Sequence, residues 1–227
     1  MIKELKILEK FIFTIEDELL KNGLNLLSID SNYRFYFKEL NENKLVLSIS
    51  TRLLRPPEFN IGYSACISND IVTNFVNESF IKEMKDLYSG MLYYDFGIGL
   101  ESDLRKSMRK PEELIIHTEF LTNQLPKIIL WAQNYMTLDK VDKDLNEGNN
   151  IEYNLLNILK NLYGVLTALI CKNPQANQII DIRIQNINKN IEFYKDNYDL
   201  NKFFKNLVEN NLISNELCLN FLSKLAQ

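Results

Sequence analysis

Apolar residues recur at the helical period through the first 22 positions of the chain. They fall at Ile2, Leu5, Leu8, Phe11, Ile12, Ile15 and Leu19. Intervals of three and four residues place them on one side of a helix, so the pattern predicts a helix over residues 2–22. The sequence Lys21-Asn22-Gly23 is suited to end it. Because the apolar side is continuous, we expect this helix to pack on another surface.

An alternation typical of β-strands follows the first helix. It is clear between Tyr33 and Phe37, where aromatic residues occupy every second position. Similar patterns, bounded by turn-forming residues, predict strands over residues 33–37, 44–55, 59–68 and 91–96. The short connections between the first three favour an antiparallel sheet of three or four strands. We expect the first helix to cover one face of that sheet.

Helical spacing returns in the middle of the chain. It predicts helices over residues 70–88, 111–136 and 138–145. Pro111 is suited to the first turn of the second helix, and the acidic Glu112 beside it complements the helix dipole. Pro126 lies deep inside the same helix, where a proline removes a backbone hydrogen bond and clashes with the preceding turn. We therefore expect this helix to kink or split near Gln124.

The last third of the chain shows no strand pattern. After a polar linker, helices are predicted over residues 151–171, 174–194, 200–210 and 214–225. The sequence thus indicates an α+β fold, with an α+β domain over residues 1–146 and a helical segment over residues 151–227. Short connections favour antiparallel packing of the helices, and we expect the two parts to form one compact unit.

Composition limits the classes of partner. The chain has 26 basic and 30 acidic residues, for a net charge of −4, and 46% of its residues are hydrophobic. These values are near the globular average and give no basic surface for nucleic acid. The longest apolar run is too short to cross a membrane, and the N-terminal residues have no signal-peptide core. We expect a cytoplasmic protein that binds neither nucleic acid nor membrane.

The three cysteines predict neither a disulfide framework nor a metal site. Cys66, Cys171 and Cys218 lie far apart, and each falls in an apolar run. An odd, sparse set of this kind is typical of reduced thiols that pack as small apolar side chains. A reactive nucleophile is the alternative.

His117 is the only histidine, and it follows Glu113 by four residues in a predicted helix. Residues at this spacing share a helix face, so the two side chains could supply metal ligands or a general base. A transition-metal site needs three or four ligands, usually with more than one histidine. We therefore expect an ordinary side-chain pair on a solvated or interface face, and no metal or cofactor.

The segment from Asp142 to Gly148 resembles the start of a calcium-binding loop. Asp142, Asp144 and Asn146 have the spacing of the first three ligands. The glycine comes one residue late, however, and the position of the last bidentate carboxylate falls on Tyr153. An acidic helix end followed by a loop is the expected structure.

An aromatic cluster with one acidic residue lies in the last predicted strand. In the sequence Tyr93-Tyr94-Asp95-Phe96, strand alternation would place Tyr94 and Phe96 on one face and Tyr93 and Asp95 on the other. Exposed tyrosines are common in protein interfaces. Tyr93, Tyr94 and Asp95 are therefore the candidate partner-binding residues. The alternative is that the rings cover the edge of the core.

Several segments, taken in order, resemble a group of known proteins. They are Tyr33–Phe37, Ile61–Ile67, Leu125-Pro126 and Leu162–Leu169 with the Asn173-Pro174 break after it. The pattern is similar to that of uncharacterised small bacterial α/β proteins, several of which are regarded as immunity proteins encoded near polymorphic toxins. The resemblance covers most of the chain and implies a protein that binds and blocks a toxin.

The functional expectation is a non-enzymatic protein-binding module whose partner is another protein, with the immunity role that the resemblance implies. One alternative is an enzyme or ligand-binding protein with a site assembled from distant residues such as Arg52, Glu113 and His117. Another is a regulatory scaffold that holds a partner helix on residues 151–225. A deep pocket with converging ionisable groups would favour the first alternative. Exposed apolar stripes on the C-terminal helices would favour the second.

Overall fold

The computed structural model describes residues 2–30, 32–53, 59–79, 91–93, 113–147 and 160–225. The contacts between residues divide the chain into two compact units. Unit 1 combines residues 1–67 with 93–136, and unit 2 combines residues 68–92 with 137–227. Each unit is therefore built from two separate stretches of sequence.

The first helix of unit 1 confirms the helical period of the N-terminal residues. Helix α1 spans Ile2–Lys21 and buries Ile15 and Leu19. It ends at Gly23, whose φ of +77° is a left-handed conformation that glycine adopts readily. The amide of Leu24 donates back to the carbonyl of Leu19, which closes the last turn.

The fold is α+β with an antiparallel sheet, as the alternation predicts. Five strands are described, one more than the upper limit expected. They follow one another across the sheet as β1 (Asn25–Asp30), β2 (Tyr33–Glu39), β3 (Lys44–Leu53), β4 (Phe59–Ser68) and β5 (Leu92–Tyr93). The additional strand is β1. A bulge between Leu26 and Ser28 interrupts its register with β2, so its sequence lacks the period of two that would have revealed it.

Two helices cover the same face of the sheet. Helix α3 spans Leu114–Gln133 and packs on α1. On β2, the Tyr36 hydroxyl group donates to Glu16 Oε1 of α1 at 2.9 Å. On β4, the Tyr63 hydroxyl group lies 2.9 Å from His117 Nδ1 of α3. Helix α1 therefore lies over β2, and α3 lies over β4.

The opposite face of the sheet carries a small buried apolar cluster. Phe35 of β2, Val46 of β3 and Cys66 of β4 form it. Alternation along β4 puts Tyr63 and Cys66, three residues apart, on opposite faces. This agrees with the contact of Tyr63 with α3 on the helix-covered face.

Pro126 does not split its helix, so of the kink or split expected from the sequence, the split is wrong. Helix α3 runs without interruption from Leu114 to Gln133. Pro126 is exposed, whereas its neighbours Leu125 and Ile128 are buried. Because the proline is on the solvent side, water can hydrate the carbonyl group whose hydrogen bond it removes, while packing on the other side holds the helix together.

Unit 2 is helical in its described residues. The helices are α2 (Asp70–Asn77), α4 (Leu138–Asn146), α5 (Lys160–Ile170), α6 (Ala176–Lys189), α7 (Ile191–Asn197), α8 (Leu200–Glu209) and α9 (Asn215–Leu225). The prediction of one helix over residues 174–194 is wrong. The chain turns at Asn190, which has φ −124° and ψ 28° and serves both as the C-cap of α6 and as the N-cap of α7.

A buried arginine joins three helices of unit 2. The Arg183 side chain of α6 is fully buried. Its Nη2 donates to the Leu145 carbonyl at 2.6 Å and to Asn146 Oδ1 at 2.8 Å, both in α4. Its Nη1 donates to the carbonyl of Lys160 at the start of α5 at 3.2 Å. Burial lowers the pKa of Arg183 to about 10, so the guanidinium remains charged at neutral pH.

Asp142 supplies the negative charge that balances Arg183, and the side-chain amide of Asn146 links the two. Asn146 accepts from Arg183 and donates from Nδ2 to Asp142 Oδ1 at 2.7 Å. Asp142 also accepts from Thr167 at 3.0 Å and from Asn173 at 2.7 Å. The calcium-loop hypothesis required Asp142 and Asn146 as ligands, whereas here they bond to each other within α4.

We predict that Gly164→Ala destabilises unit 2. A Cβ atom at Gly164 would contact the Nε, Cζ and Nη2 atoms of Arg183, the last at 2.6 Å. Alanine would otherwise favour the helix by about 1 kcal/mol. We expect instead a loss of about 2 kcal/mol or more in the free energy of unfolding, measured with urea.

The double-mutant cycle with Arg183→Met tests the cause of that loss. Arg183→Met should itself cost about 3 kcal/mol, because it leaves buried oxygen atoms without a donor. In that background Gly164→Ala should cost less than it does alone, since methionine is flexible. Full additivity would contradict the contact between the two positions.

Candidate protein-binding surface

Of the three aromatic-cluster residues predicted to bind a partner, the structure describes only Tyr93. Tyr93 is the second residue of β5, and its side chain is exposed, whereas Met91 and Leu92 before it are buried. Tyr94 and Asp95 lie outside the described residues. A partner-binding role for Tyr93, Tyr94 and Asp95 therefore stays a prediction.

His117 lies inside unit 1, and it pairs with a tyrosine. Its side chain is 1% exposed. The Tyr63 hydroxyl group contacts Nδ1, and the Phe11 ring meets the imidazole edge to face at 6.4 Å between centroids. The expected position of His117 on a solvated or interface face is therefore wrong.

Burial keeps the Tyr63–His117 pair neutral. It lowers the pKa of His117 to about 4 and raises the pKa of Tyr63 well above its usual range. When the hydroxyl group donates to Nδ1, the ring proton is on Nε2, which is buried and has no hydrogen-bond partner in the described structure. This geometry makes His117 a core residue, and the side chain of Arg52 lies outside the described set.

The described cysteines are free thiols, and two of them are buried. Cys66 and Cys218 are buried, and Cys171 is half-buried. Burial raises the pKa of the Cys66 thiol to about 12 and also raises that of Cys218. A raised pKa disfavours the thiolate, the form that acts as a nucleophile. This favours the expected packing role over the reactive alternative.

A cleft of about 360 Å³ lies among the last helices of unit 2. Its lining includes Lys195, Tyr198 and Asp199 together with Ile191, Leu222 and Leu225. Lys195 forms an ion pair with Glu192 at 3.9 Å, and Asp199 accepts from the Lys202 amide as the N-cap of α8. Since both charged groups serve local structure, the cleft offers no converging set of ionisable groups.

Among the described residues, no group of three or more His, Cys, Asp or Glu side chains could hold a metal ion. No helix in the same part of the chain has the length and apolar character to cross a membrane.

The open edge of the sheet exposes apolar side chains. β1 pairs with β2 on one side, and no described strand pairs with it on the other. Leu26 lies opposite Tyr36, and Ile29 lies opposite Arg34, so both are on the face that α1 covers. They are nevertheless 44% and 59% exposed, because α1 lies over β2 and does not extend across β1.

Helix α1, which lies over the neighbouring strand β2, also has two exposed apolar residues. Its Phe11 contacts α3. At 100° per residue, Phe13 and Leu20 lie about half a turn around the helix from Phe11, and hence on the side away from α3. They are 70% and 55% exposed. We call Phe13, Leu20, Leu26 and Ile29 the edge surface.

Charges of both signs lie around the edge surface. Lys10 and Lys21 of α1 are exposed, and Lys38 of β2 donates to the carbonyl of Asn22 between α1 and β1.

Burial and then Glu16 raise the pKa of Tyr36, and Arg34 lowers it, so one charge of each sign lies near this hydroxyl group. Glu9 and Asp17 of α1 are exposed, and within the described structure neither forms an ion pair. β1 itself contains no lysine or arginine.

No family model, curated protein or solved structure matches the chain. Its function is therefore inferred from its own surfaces. The sequence pattern did not single out the edge surface, because Phe13 and Leu20 fall outside the apolar side predicted for the first helix and β1 was not recognised as a strand. Only the position of α1 over β2 reveals which apolar residues stay uncovered.

The buried histidine predicts a pH dependence of stability. The pKa of His117 is about 4 in the folded protein and about 6.5 in the unfolded chain. Between these values the unfolded chain binds more protons. His117 therefore contributes full stability above pH 6.5, and this contribution is lost as the pH falls toward 4.

Two measurements check this prediction. As the only histidine, His117 gives a single imidazole resonance, and we expect its NMR titration in the folded state to have a midpoint near pH 4. In thermal unfolding, the melting temperature of His117→Phe should change less between pH 4 and pH 6.5 than that of the parent protein. A midpoint near 6.5 would show that the imidazole is solvated.

Proposed function

We propose that this chain is a non-enzymatic protein-binding module that uses the edge surface to hold a partner protein. The observation that carries the proposal is the exposure of Leu26 and Ile29 on the edge strand β1 and of Phe13 and Leu20 on α1, the helix over the neighbouring strand. Grouped apolar exposure of this kind marks interaction sites. The proposed location is the cytoplasm.

The described groups that could react are taken up by the fold, which supports a binding role over an enzymatic one. In the described structure His117 is sealed in the core, and Cys66 is buried with a raised pKa. The most highly connected polar group, Arg183, has its hydrogen bonds directed to the backbone and amides of unit 2. These groups support the fold and leave the exposed surfaces for function.

The finer proposal is an immunity-type role, in which the chain occludes a toxin by covering its active surface. The exposed apolar residues of the edge surface support it, because apolar side chains can anchor a protein interface. The resemblance of the sequence pattern to presumed immunity proteins is consistent with this role. The partner would be blocked sterically, in a one-to-one complex.

We predict that Phe13→Lys abolishes partner capture. The tagged chain is incubated with native cell lysate, and bound proteins are identified by mass spectrometry. Truncating an apolar anchor and adding a charge at the centre of an interface costs about 2 kcal/mol or more, which is a loss of roughly thirtyfold in affinity. Leu130→Lys is the matched control, because Leu130 of α3 is 66% exposed but lies outside the edge surface.

The same assay tests the other end of the sheet. Tyr93→Ala, Tyr94→Ala and Asp95→Ala should leave capture unchanged if the edge surface is the binding site. Loss in these variants with retention in Phe13→Lys would assign binding to the aromatic cluster instead. For the immunity role, an equimolar amount of the chain should block the activity of the purified partner, and an unaffected partner would contradict it.

A further inference from the structure

One asparagine of the chain precedes a glycine, and this pair lies at the end of helix α1. The chain has seven glycines, of which Gly23 alone follows an asparagine, Asn22. Glycine has no Cβ, so its backbone nitrogen can come close to a neighbouring group. The Gly23 nitrogen can therefore reach Cγ of the Asn22 side chain and close a five-membered ring. An asparagine in this setting can lose its amide without an enzyme.

The reaction of such a pair has two steps and consumes only water. In the first step the Gly23 nitrogen bonds to Cγ of Asn22, the bond from Cγ to Nδ2 breaks, and ammonia leaves with the former amide proton. In the second step water opens the cyclic imide at either of its carbonyl groups. The products are aspartate and isoaspartate, and each adds one negative charge to the chain.

Hydrogen bonds in the last turn of α1 hold both reacting groups. Nδ2 of Asn22 donates to the carbonyl of Glu18 at 2.8 Å and to Glu18 Oε1 at 3.2 Å. The amide of Gly23 donates to the carbonyl of Leu20 at 2.9 Å. Ring closure requires the Asn22 side chain and the Gly23 nitrogen to align freely. These hydrogen bonds must therefore break before the ring can form.

Lys38 of β2 fastens the same turn to the sheet. Its Nζ donates to the carbonyl of Asn22 at 2.7 Å. The same atom lies 3.2 Å from the position that a Cβ atom of Gly23 would occupy. The Asn22 carbonyl belongs to the peptide group whose nitrogen attacks, so rotation of this group into the ring breaks the contact with Lys38. The lysine thus opposes the reaction from the side of the sheet.

We propose that Asn22 is a site of spontaneous deamidation, and that opening of the last turn of α1 controls its rate. The unfolded chain reacts as an unrestrained Asn-Gly pair. The folded chain reacts only while the turn is open. Helix ends open far more often than the protein unfolds, so the folded chain also reacts, at a reduced rate.

The product destabilises the turn in which it forms. Conversion to aspartate removes the two hydrogen bonds from Nδ2 of Asn22 and places a carboxylate beside Glu18. The new charge also lies at the C-terminal end of α1, where the helix dipole disfavours a negative group. Lys38 offsets part of this charge. We expect the net effect to be a less stable folded chain.

The reaction rate is measured on the full chain, folded in buffer and unfolded in guanidinium chloride at the same pH and temperature. Mass spectrometry follows the mass increase of the peptide that contains Asn22, and chromatography separates aspartate from isoaspartate. The folded chain should react about tenfold or more slowly, because the turn is closed most of the time. Equal rates would show that the turn does not control the reaction. An unmodified Asn22 in the unfolded chain would remove the site.

Two lysine variants test the contact with the sheet. Lys38→Met should raise the folded rate severalfold, since it frees the Asn22 carbonyl. Lys44→Met is the matched control, because Lys44 forms an ion pair with Glu39 instead. In guanidinium chloride both variants should react at the rate of the parent. Equal folded rates in the two variants would contradict the proposed control, and their unfolding free energies show whether global unfolding explains a difference.

The variant Asn22→Asp tests the effect of the product. It should lower the denaturant midpoint of unfolding relative to the parent chain. Adding Glu18→Gln, which removes the facing carboxylate, should restore part of the loss. A midpoint equal to that of the parent would contradict the proposed destabilisation.

Discussion

The structure of unit 2 depends on satisfying one buried positive charge. The guanidinium of Arg183 cannot reach water, so its donors must find oxygen atoms inside the protein. They find them on Leu145, Asn146 and Lys160, which fixes α4 and the start of α5 against α6. Asn146 then links this charge to the carboxylate of Asp142. The absence of a side chain at Gly164 provides the space for this arrangement.

Elements with an uninterrupted period could be predicted from the sequence, and those shaped by tertiary context could not. Helix α1 was predicted nearly to the residue because its apolar positions repeat throughout. β1 was missed because a bulge at Leu27 breaks its alternation. The split at Pro126 was expected from local sterics, which packing on the buried side of α3 overrides. The role of Arg183 had no local signal, since its partners lie about 20 to 40 residues away.

The candidate site, too, could be predicted from the sequence only in part. The exposure of Tyr93 agrees with its place in a strand at the sheet edge, but the predicted site extends into residues that the structure does not describe. The edge surface combines α1 and β1, and its members are ordinary apolar residues in the sequence. Phe13 differs from Phe11 only in which side of the helix it occupies. That distinction follows from the placement of α3 and cannot be read from the residues alone.

The interleaving of the two units has a consequence for synthesis on the ribosome. Unit 1 needs residues 93–136 to complete it, so residues 68–92 of unit 2 emerge before unit 1 is whole. Residues 68–92 cannot complete unit 2 until α4 and the later helices have also been synthesised. Neither half of the chain is therefore a complete folding unit when released early. A nascent chain halted near residue 146 would present α2 and α4 without the helices that bury them.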